Sequence, residues 1–384
     1  DLQKRFPGKT FAVAIEQSKG PLIHALMKYD VLVLYPINPK QLARFREVLH
    51  VGGSKSDPED AKLLATLLQH HHDCLSAWAP DDEQTRLLGY LAEDRRQAVN
   101  QRAATLNRLK TRLKQYFPQA LELANDLRFD LAVDFLRQFD CLETLQAAPL
   151  DAVRASLTSG QGPERGKLEQ ILTAIADMRP LTTDRAVIES GQRYVQSQLG
   201  LLATLNQSVR TYDSRIRALM EQHADGEIFN SFPGAGSALA PRMLVAFGTD
   251  RDRYRDAAEV QQHVGIAPVT IASGKSRYVA RRWACSSFLQ STFQEFANCS
   301  RRFSVWASAY YELQRSRGKP HQAAVRSLAF KWIRIIYRCW KDRTRYDELA
   351  YCGQLMIRQS PVVAFMSSKS KESNNSTRRT KNHH

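Results

Sequence analysis

The sequence predicts an α/β segment followed by an all-α remainder, and three observations carry that reading. Two short apolar runs lie near the N-terminus with a helical stretch between them. Apolar residues recur at helical spacing through most of the rest, and the excess positive charge is confined to the C-terminal part.

The first run, Phe11-Ala12-Val13-Ala14-Ile15, stops at Glu16 and reads as a buried strand. The second, Val31 to Ile37, follows a helical connection from about Pro21 to Tyr29, the spacing of a strand, a crossover helix and a parallel strand. Asn38-Pro39-Lys40 turns the chain into a short helix, Gly52-Gly53-Ser54-Lys55 forms a loop, and a helix starts near Asp57. From Gln84 to Phe117 the leucines and valines fall on one helical face, closed by Pro118. Residues 126 to 180 read as shorter helices with a loop over Ser159 to Gly166. Val195, Leu202, Leu205, Val209, Tyr212, Ile216 and Leu219 form a coiled-coil seam, which can pair with the Gln84 helix or with another subunit. The organisation predicted is 1–125 α/β, 126–225 helical insert and coiled coil, 226–352 a mostly helical C-terminal domain, and 353–384 a disordered basic tail.

Charge narrows the function. The formal net charge is +16, with +1 on residues 1–225, +10 on 226–352 and +5 on 353–384, the distribution of a phosphate-binding surface on one domain. Lys331, Arg334 and Arg338 interrupt the most apolar C-terminal stretch, which excludes a spanning helix there. The six cysteines lack CxxC spacing and His70-His71-His72 point different ways around a helix, so no zinc site is predicted and a reducing cytoplasm fits.

Three constellations could carry chemistry. Glu16 ends a strand, where ligands gather in open α/β sheets, while Asp57 and Asp60 share a helix face; together they would suit Mg²⁺ or Mn²⁺. Ser56-Asp57-Pro58-Glu59-Asp60 is equally the composition of a capped helix start. Phe232-Pro233-Gly234-Ala235-Gly236 between two helical stretches reads as a helix-hairpin-helix whose backbone can hold a phosphate at Gly234 and Gly236, or as a plain turn. Ser273-Gly274 follows a β-branched run and precedes Lys275, Arg277, Arg281 and Arg282; this serine is either a nucleophile with cations around it or a residue of an ordinary turn.

These pieces, in this order and over nearly the whole chain, resemble the DEDD transposases of the insertion sequence 110 family. The resemblance rests on Ala14-Ile15-Glu16-Gln17, Pro36-Ile37-Asn38-Pro39, Lys55-Ser56-Asp57-Pro58-Glu59-Asp60-Ala61, Phe232 to Gly236, Val264-Gly265-Ile266-Ala267-Pro268 and Ser273-Gly274. It implies an N-terminal RNase H-like (Holliday-resolvase-like) domain in which Glu16, Asp57 and Asp60 are the second, third and fourth acids of a Mg²⁺ (or Mn²⁺) site. Ser273 is then the nucleophile of the C-terminal transposase domain. The family's first Asp lies on an earlier strand, and Asp1 is too close to Glu16 to take its place. The chain therefore reads as truncated, missing its first strands, and as catalytically silent until they are restored. The implied partners are DNA, a guide (bridge) RNA and further copies of the chain in a dimer or tetramer, with no membrane, in a prokaryotic cytoplasm at the nucleoid. Two other readings stand beside this one: a metal-dependent junction nuclease, and an inactive nucleic-acid-binding remnant.

Overall fold

The first elements follow the sequence closely. In the computed structural model β1 (Phe11–Ile15) and β2 (Leu32–Pro36) pair in parallel, Phe11 opposite Leu32 and Ile15 opposite Pro36, with a crossover helix between them. The structure describes residues 1–16, 20–49, 56–124, 127–158, 165–274, 276–282 and 285–367, and only the backbone of Lys40, Leu49, Arg165, Lys167 and Arg277. The predicted Gly52–Lys55 loop and most of the Ser159–Gly166 loop lie outside the described residues.

Two compact units divide the chain, Asp1–Asp82 and Glu83–His384. The first holds α1 (Leu2–Arg5), the two strands, α2 (Pro21–Leu26), α3 (Pro39–Leu49) and α4 (Asp57–His71). Ile15, Ile23 and Leu34 form one small core, while Ile37, Leu42 and Leu63 form another under α3 and α4. The Trp78 amide donates to the Leu34 carbonyl at 2.7 Å, so the chain after α4 returns along β2.

The second unit begins with α5 (Glu83–Tyr116), continues through α6 (Gln119–Leu123), α7 (Asp130–Gln138), α8 (Leu142–Ala147), α9 (Leu150–Thr158) and α10 (Arg165–Ile175), and returns along α11 (Arg185–Gln222). Of the two pairings open to the seam, the intrachain one forms. Gln84 bonds the Leu219 carbonyl at 3.2 Å, Thr85 meets His223 at 2.9 Å, Arg95 pairs with Asp213, and Arg112 donates to Ser190 at 2.6 Å, the register of an antiparallel pair. Seven-residue spacing runs through the buried Ile188, Val195, Leu202, Val209 and Ile216, and through Leu199, Asn206, Asp213 and Met220. Opposite them on α5 stand Leu88, Arg95, Arg102, Leu109 and Tyr116. Two layers of the seam are therefore polar: Arg95 with Asp213, and Arg102 with Asn206 at 3.5 Å, where Asn206 also donates to Asp130 at 3.1 Å. Such layers fix register, because a slipped pairing would leave each group unsatisfied against apolar neighbours. Gly191 has its own reason: a Cβ there would sit 2.6 Å from the Tyr116 ring.

The C-terminal half packs α12 (Gly226–Asn230), α13 (Gly236–Phe247), α14 (Ala257–His263), α15 (Ser287–Ser300), α16 (Val305–Ser316), α17 (His321–Asp342) and α18 (Glu348–Ile357) around Trp306, Trp332 and Trp340, all fully buried. The expectation of a disordered tail from residue 353 is corrected in part. α18 crosses that boundary, residues 362–367 are helical, and Val362 and Met366 bury apolar side chains on the same core. Residues 368–384 lie outside the described residues. One pair of strands interrupts the helices: β3 (Val269–Ser273) and β4 (Ser276–Ala280), antiparallel with Ser273 opposite Ser276. No helix among the described residues is long and apolar enough to cross a membrane.

Candidate functional site

Glu16 follows the last residue of β1 and is exposed, at the carboxyl end of the two-stranded sheet where the sequence placed it. Asp57 opens α4 and is also exposed. Ser56 caps the helix, its hydroxyl accepting from the Glu59 amide at 3.4 Å, and Asp57, Glu59 and Asp60 fill the first turn beside the positive end of the helix dipole. The capping reading of this stretch and the acidic face thus coexist.

Asp60 differs from the other two. It is buried, and Arg46 from α3 holds it: the Arg46 Nε donates to Asp60 Oδ1 at 3.0 Å and one terminal nitrogen reaches the same oxygen. The side chains of this pair are 16% and 8% exposed, so the guanidinium is the main compensation for a carboxylate shut away from water. Among the described residues no group of three or more His, Cys, Asp or Glu side chains is arranged to hold a metal ion. The oxygen donors of Glu16, Asp57 and Asp60 suit a hard cation by type, but as placed they do not fit one, because Asp60 is spent on Arg46. Sequence reasoning missed Arg46. Its role depends on where α3 packs against α4, and nothing in the local pattern marks it.

In the second unit the Phe232–Gly236 turn joins α12 to α13, with Gly234 at φ 82° and Gly236 at φ 54°. The two glycines serve different ends. A Cβ on Gly234 would stand 3.0 Å from the Cys299 carbonyl carbon and the Ser300 amide nitrogen, so this glycine lets the turn press onto the end of α15. Gly236 is exposed and a Cβ there meets nothing within 4 Å. Phe232 anchors the turn, stacked on Tyr346 with ring centroids 5.4 Å apart and edge-on to Trp332.

Ser273 ends β3 at the tip of the strand hairpin and is exposed, with Gly274 at φ 55° completing the turn. No hydrogen-bond partner of its hydroxyl occurs among the described residues. Two of the four cations expected around it are tethered: Arg281 donates to Gln290, and Arg282 donates to the Ala267 carbonyl at 3.4 Å. Lys275 lies outside the described residues, as does the side chain of Arg277. The carboxylates belong to the first compact unit and Ser273 to the second. The hairpin itself escaped the sequence reading, although alternating Val269-Thr270-Ile271 and Tyr278-Val279 around a Gly-Lys pair are a hairpin signal.

An α/β unit followed by a strongly basic helical unit is the charge distribution of a protein that meets a polyanion. Two family profiles match the chain: the IS110 DEDD transposase profile over residues 2–118, and one described as transposase IS116/IS110/IS902 family over residues 226–312. The chain is 32% identical over 349 residues to the "Mini-circle putative transposase for IS117" of Streptomyces coelicolor, covering 88% of this chain and 82% of that one. It is 28% identical over 314 residues to the IS110 43.6 kDa protein of the same organism, covering 79% and 75% of the two chains. With the IS900 42 kDa protein of Mycobacterium paratuberculosis the identity is 25% over 323 residues, covering 78% and 76%. The chain belongs to the IS110 family of transposases, enzymes whose partner is DNA.

Proposed function

We propose that this transposase cuts and rejoins DNA strands through a covalent bond to Ser273, with Glu16, Asp57 and Asp60 as the ligands of a Mg²⁺ (or Mn²⁺) ion in an RNase H-like first domain. The observation that carries the reading is the exposed Ser273 hydroxyl at the tip of a hairpin, inside the family-matched segment and followed by Lys275, Arg277, Arg281 and Arg282. The serine oxygen attacks the DNA phosphorus and gives its proton to water. The phosphorus–oxygen bond to the departing strand breaks, and that strand's oxygen takes up a proton. A hydroxyl of the incoming strand then reverses the step and frees the serine. Cations beside the phosphate offset the charge that builds on its oxygens. Glu16, Asp57 and Asp60 would hold a divalent cation only if Arg46 gave up Asp60, and the chemistry such an ion would supply is charge stabilisation at a phosphate.

The exposed Gly236 and the neighbouring turn at Gly234 hold a backbone phosphate, as in a helix-hairpin-helix. A guide RNA selects the DNA, and a dimer or tetramer in the bacterial cytoplasm supplies the several active sites that strand exchange demands.

The Ser273 hydroxyl, which makes no hydrogen bond among the described residues, favours a second reading, a metal-dependent junction nuclease in which Ser273 only contacts the phosphate. Incubation with the DNA ends and RNA of the parent element, followed by denaturing electrophoresis, separates the two. Labelled DNA attached to protein, and lost in Ser273→Ala, supports recombination, whereas free nicks that persist in Ser273→Ala support the nuclease.

A further inference from the structure

The basic excess of the C-terminal part has a concave focus. A cleft of about 1310 Å³ opens between α17 and α18, and its walls carry Lys331, Arg334, Arg338 and Arg358 together with Tyr310 and Tyr351. Lys331, Arg334 and Arg338 are three and four residues apart on α17, so they form one helical face.

The acids bordering the cleft are already committed inside the fold. Asp347 caps α18, accepting from the Ala350 amide at 2.9 Å, and Glu348 takes Ser304 at 2.8 Å, the Val305 amide at 3.0 Å and Tyr346 at 2.6 Å. Arg338 pairs with Asp342 along its own helix. For Lys331, Arg334 and Arg358 no carboxylate partner occurs among the described residues. Lys331 lies instead against aromatic rings, its Nζ 4.9 Å from the Tyr310 centroid and 5.7 Å from that of Trp306. Burial and the neighbouring Arg334 push the Lys331 amine below its ordinary range. A partly desolvated amine with other cations beside it in a cleft gains most from an anion entering it.

We propose that this cleft binds an unpaired DNA strand, its phosphates on Lys331, Arg334 and Arg358 and its bases against Tyr310 and Tyr351. A duplex presents a convex rod with its bases turned inward, whereas a cationic cleft with aromatic walls matches a single strand. Strand transfer exposes such a strand, so the proposal rests on the chain's action on DNA but not on Ser273 or on the carboxylates.

The test uses the full chain without divalent cation and a labelled 20-nucleotide thymidine DNA, read by fluorescence anisotropy across a salt series. Arg334 and Arg358 are both exposed, so R334A/R358A should keep the fold while binding the strand at least tenfold more weakly at 100 mM salt. Its slope of log affinity against log salt should be shallower by about 1.4, for two lost single-strand phosphate contacts. Duplex DNA of equal length should lose less than threefold, and Tyr351→Leu should weaken the strand while leaving the salt slope unchanged. Parental affinity and slope in R334A/R358A, or an equal loss on duplex, would overturn the site. A uridine RNA bound tenfold more tightly than the DNA would overturn the choice of strand. None of these readings requires cleavage, so failure here is distinct from failure of the serine reaction.

Discussion

Replacing Arg46 by Met tests whether Asp60 is a cation ligand held in reserve or only a structural acid. The substitution keeps most of the apolar stem and removes the guanidinium, leaving the Asp60 carboxylate buried with its partner gone. Breaking a buried pair from one side costs about 3–5 kcal/mol, and the 16% exposure of Arg46 places this case near the lower end, about 3 kcal/mol. The loss should fall on α3 and α4, whose shared core is Ile37, Leu42 and Leu63. Hydrogen exchange followed by mass spectrometry should show it as faster exchange in peptides from 57–71. If Asp60 binds a divalent ion once freed, 10 mM Mg²⁺ should restore part of the protection. With a dissociation constant of about 1 mM the recovery is about 1.4 kcal/mol. Adding Asp60→Asn should abolish the Mg²⁺ effect. An R46M protein whose α4 exchange ignores Mg²⁺ would refute the assignment of Asp60 to a cation site in this chain.

Gly234→Ala should cost about 2–4 kcal/mol, because a Cβ at φ 82° also meets the α15 backbone at 3.0 Å, while Gly236→Ala should cost about 1 kcal/mol or less and act mainly on DNA affinity. Urea denaturation and a binding isotherm on the two variants check both halves of that contrast. Burial raises the Cys339 thiol to about 11, so the folded unit keeps its proton after the unfolded chain has lost it. The share of stability due to this thiol should therefore be intact below about pH 8.5 and fall by about 2 kcal/mol as pH rises to about 10, a loss that Cys339→Ala should remove in denaturation curves; above about pH 10 the buried Tyr116, Tyr346 and Tyr351, also raised by burial, add a decline that persists in the variant. In the helical pair, Asp213→Ala alone should lower the unfolding free energy obtained from urea denaturation by about 1–2 kcal/mol, whereas R95L/D213L should be neutral or stabilising; equal losses in both would show that the layer adds stability rather than register.

The parts of this molecule legible in its sequence are those whose burial repeats with a short period. The Phe11 and Val31 runs became paired strands, and the Gln84 and Val195 stretches became α5 and α11, because apolar spacing alone specifies those faces. Where polar residues fill core positions the same method fails. Asn206 and Asp213 occupy the seam of α11, and Arg95 and Arg102 that of α5, so a tally of apolar residues omits the layers that set the register. The pairing of Arg46 with Asp60 escapes for a related reason: the two are fourteen residues apart on different helices, and only the packing of α3 on α4 joins them. Local pattern marks Glu16, Asp57 and Ser273 as candidates but leaves a helix cap or an ordinary turn open beside the chemical role, since an exposed strand end, helix start or hairpin tip is common in any fold, and only the resemblance favours the chemical reading.

The helical pair also bears on assembly. A seam left open on one chain would have offered a second subunit a long apolar stripe, but α11 spends its stripe on α5. The large apolar side chains that remain exposed on these helices are Leu87, Tyr90, Tyr194 and Leu201. In the antiparallel register the first two lie beside the C-terminal end of α11, whereas Tyr194 and Leu201 lie toward its N-terminal end, so they form two small groups at opposite ends of the pair and no stripe joins them. Scattered apolar residues of this kind are ordinary surface and do not hold subunits together. The dimer or tetramer proposed for strand exchange must therefore be held by surfaces outside the seam. The formal charge of +10 on residues 226–352 sets the terms for those surfaces, since two such halves repel each other until an intervening polyanion screens them.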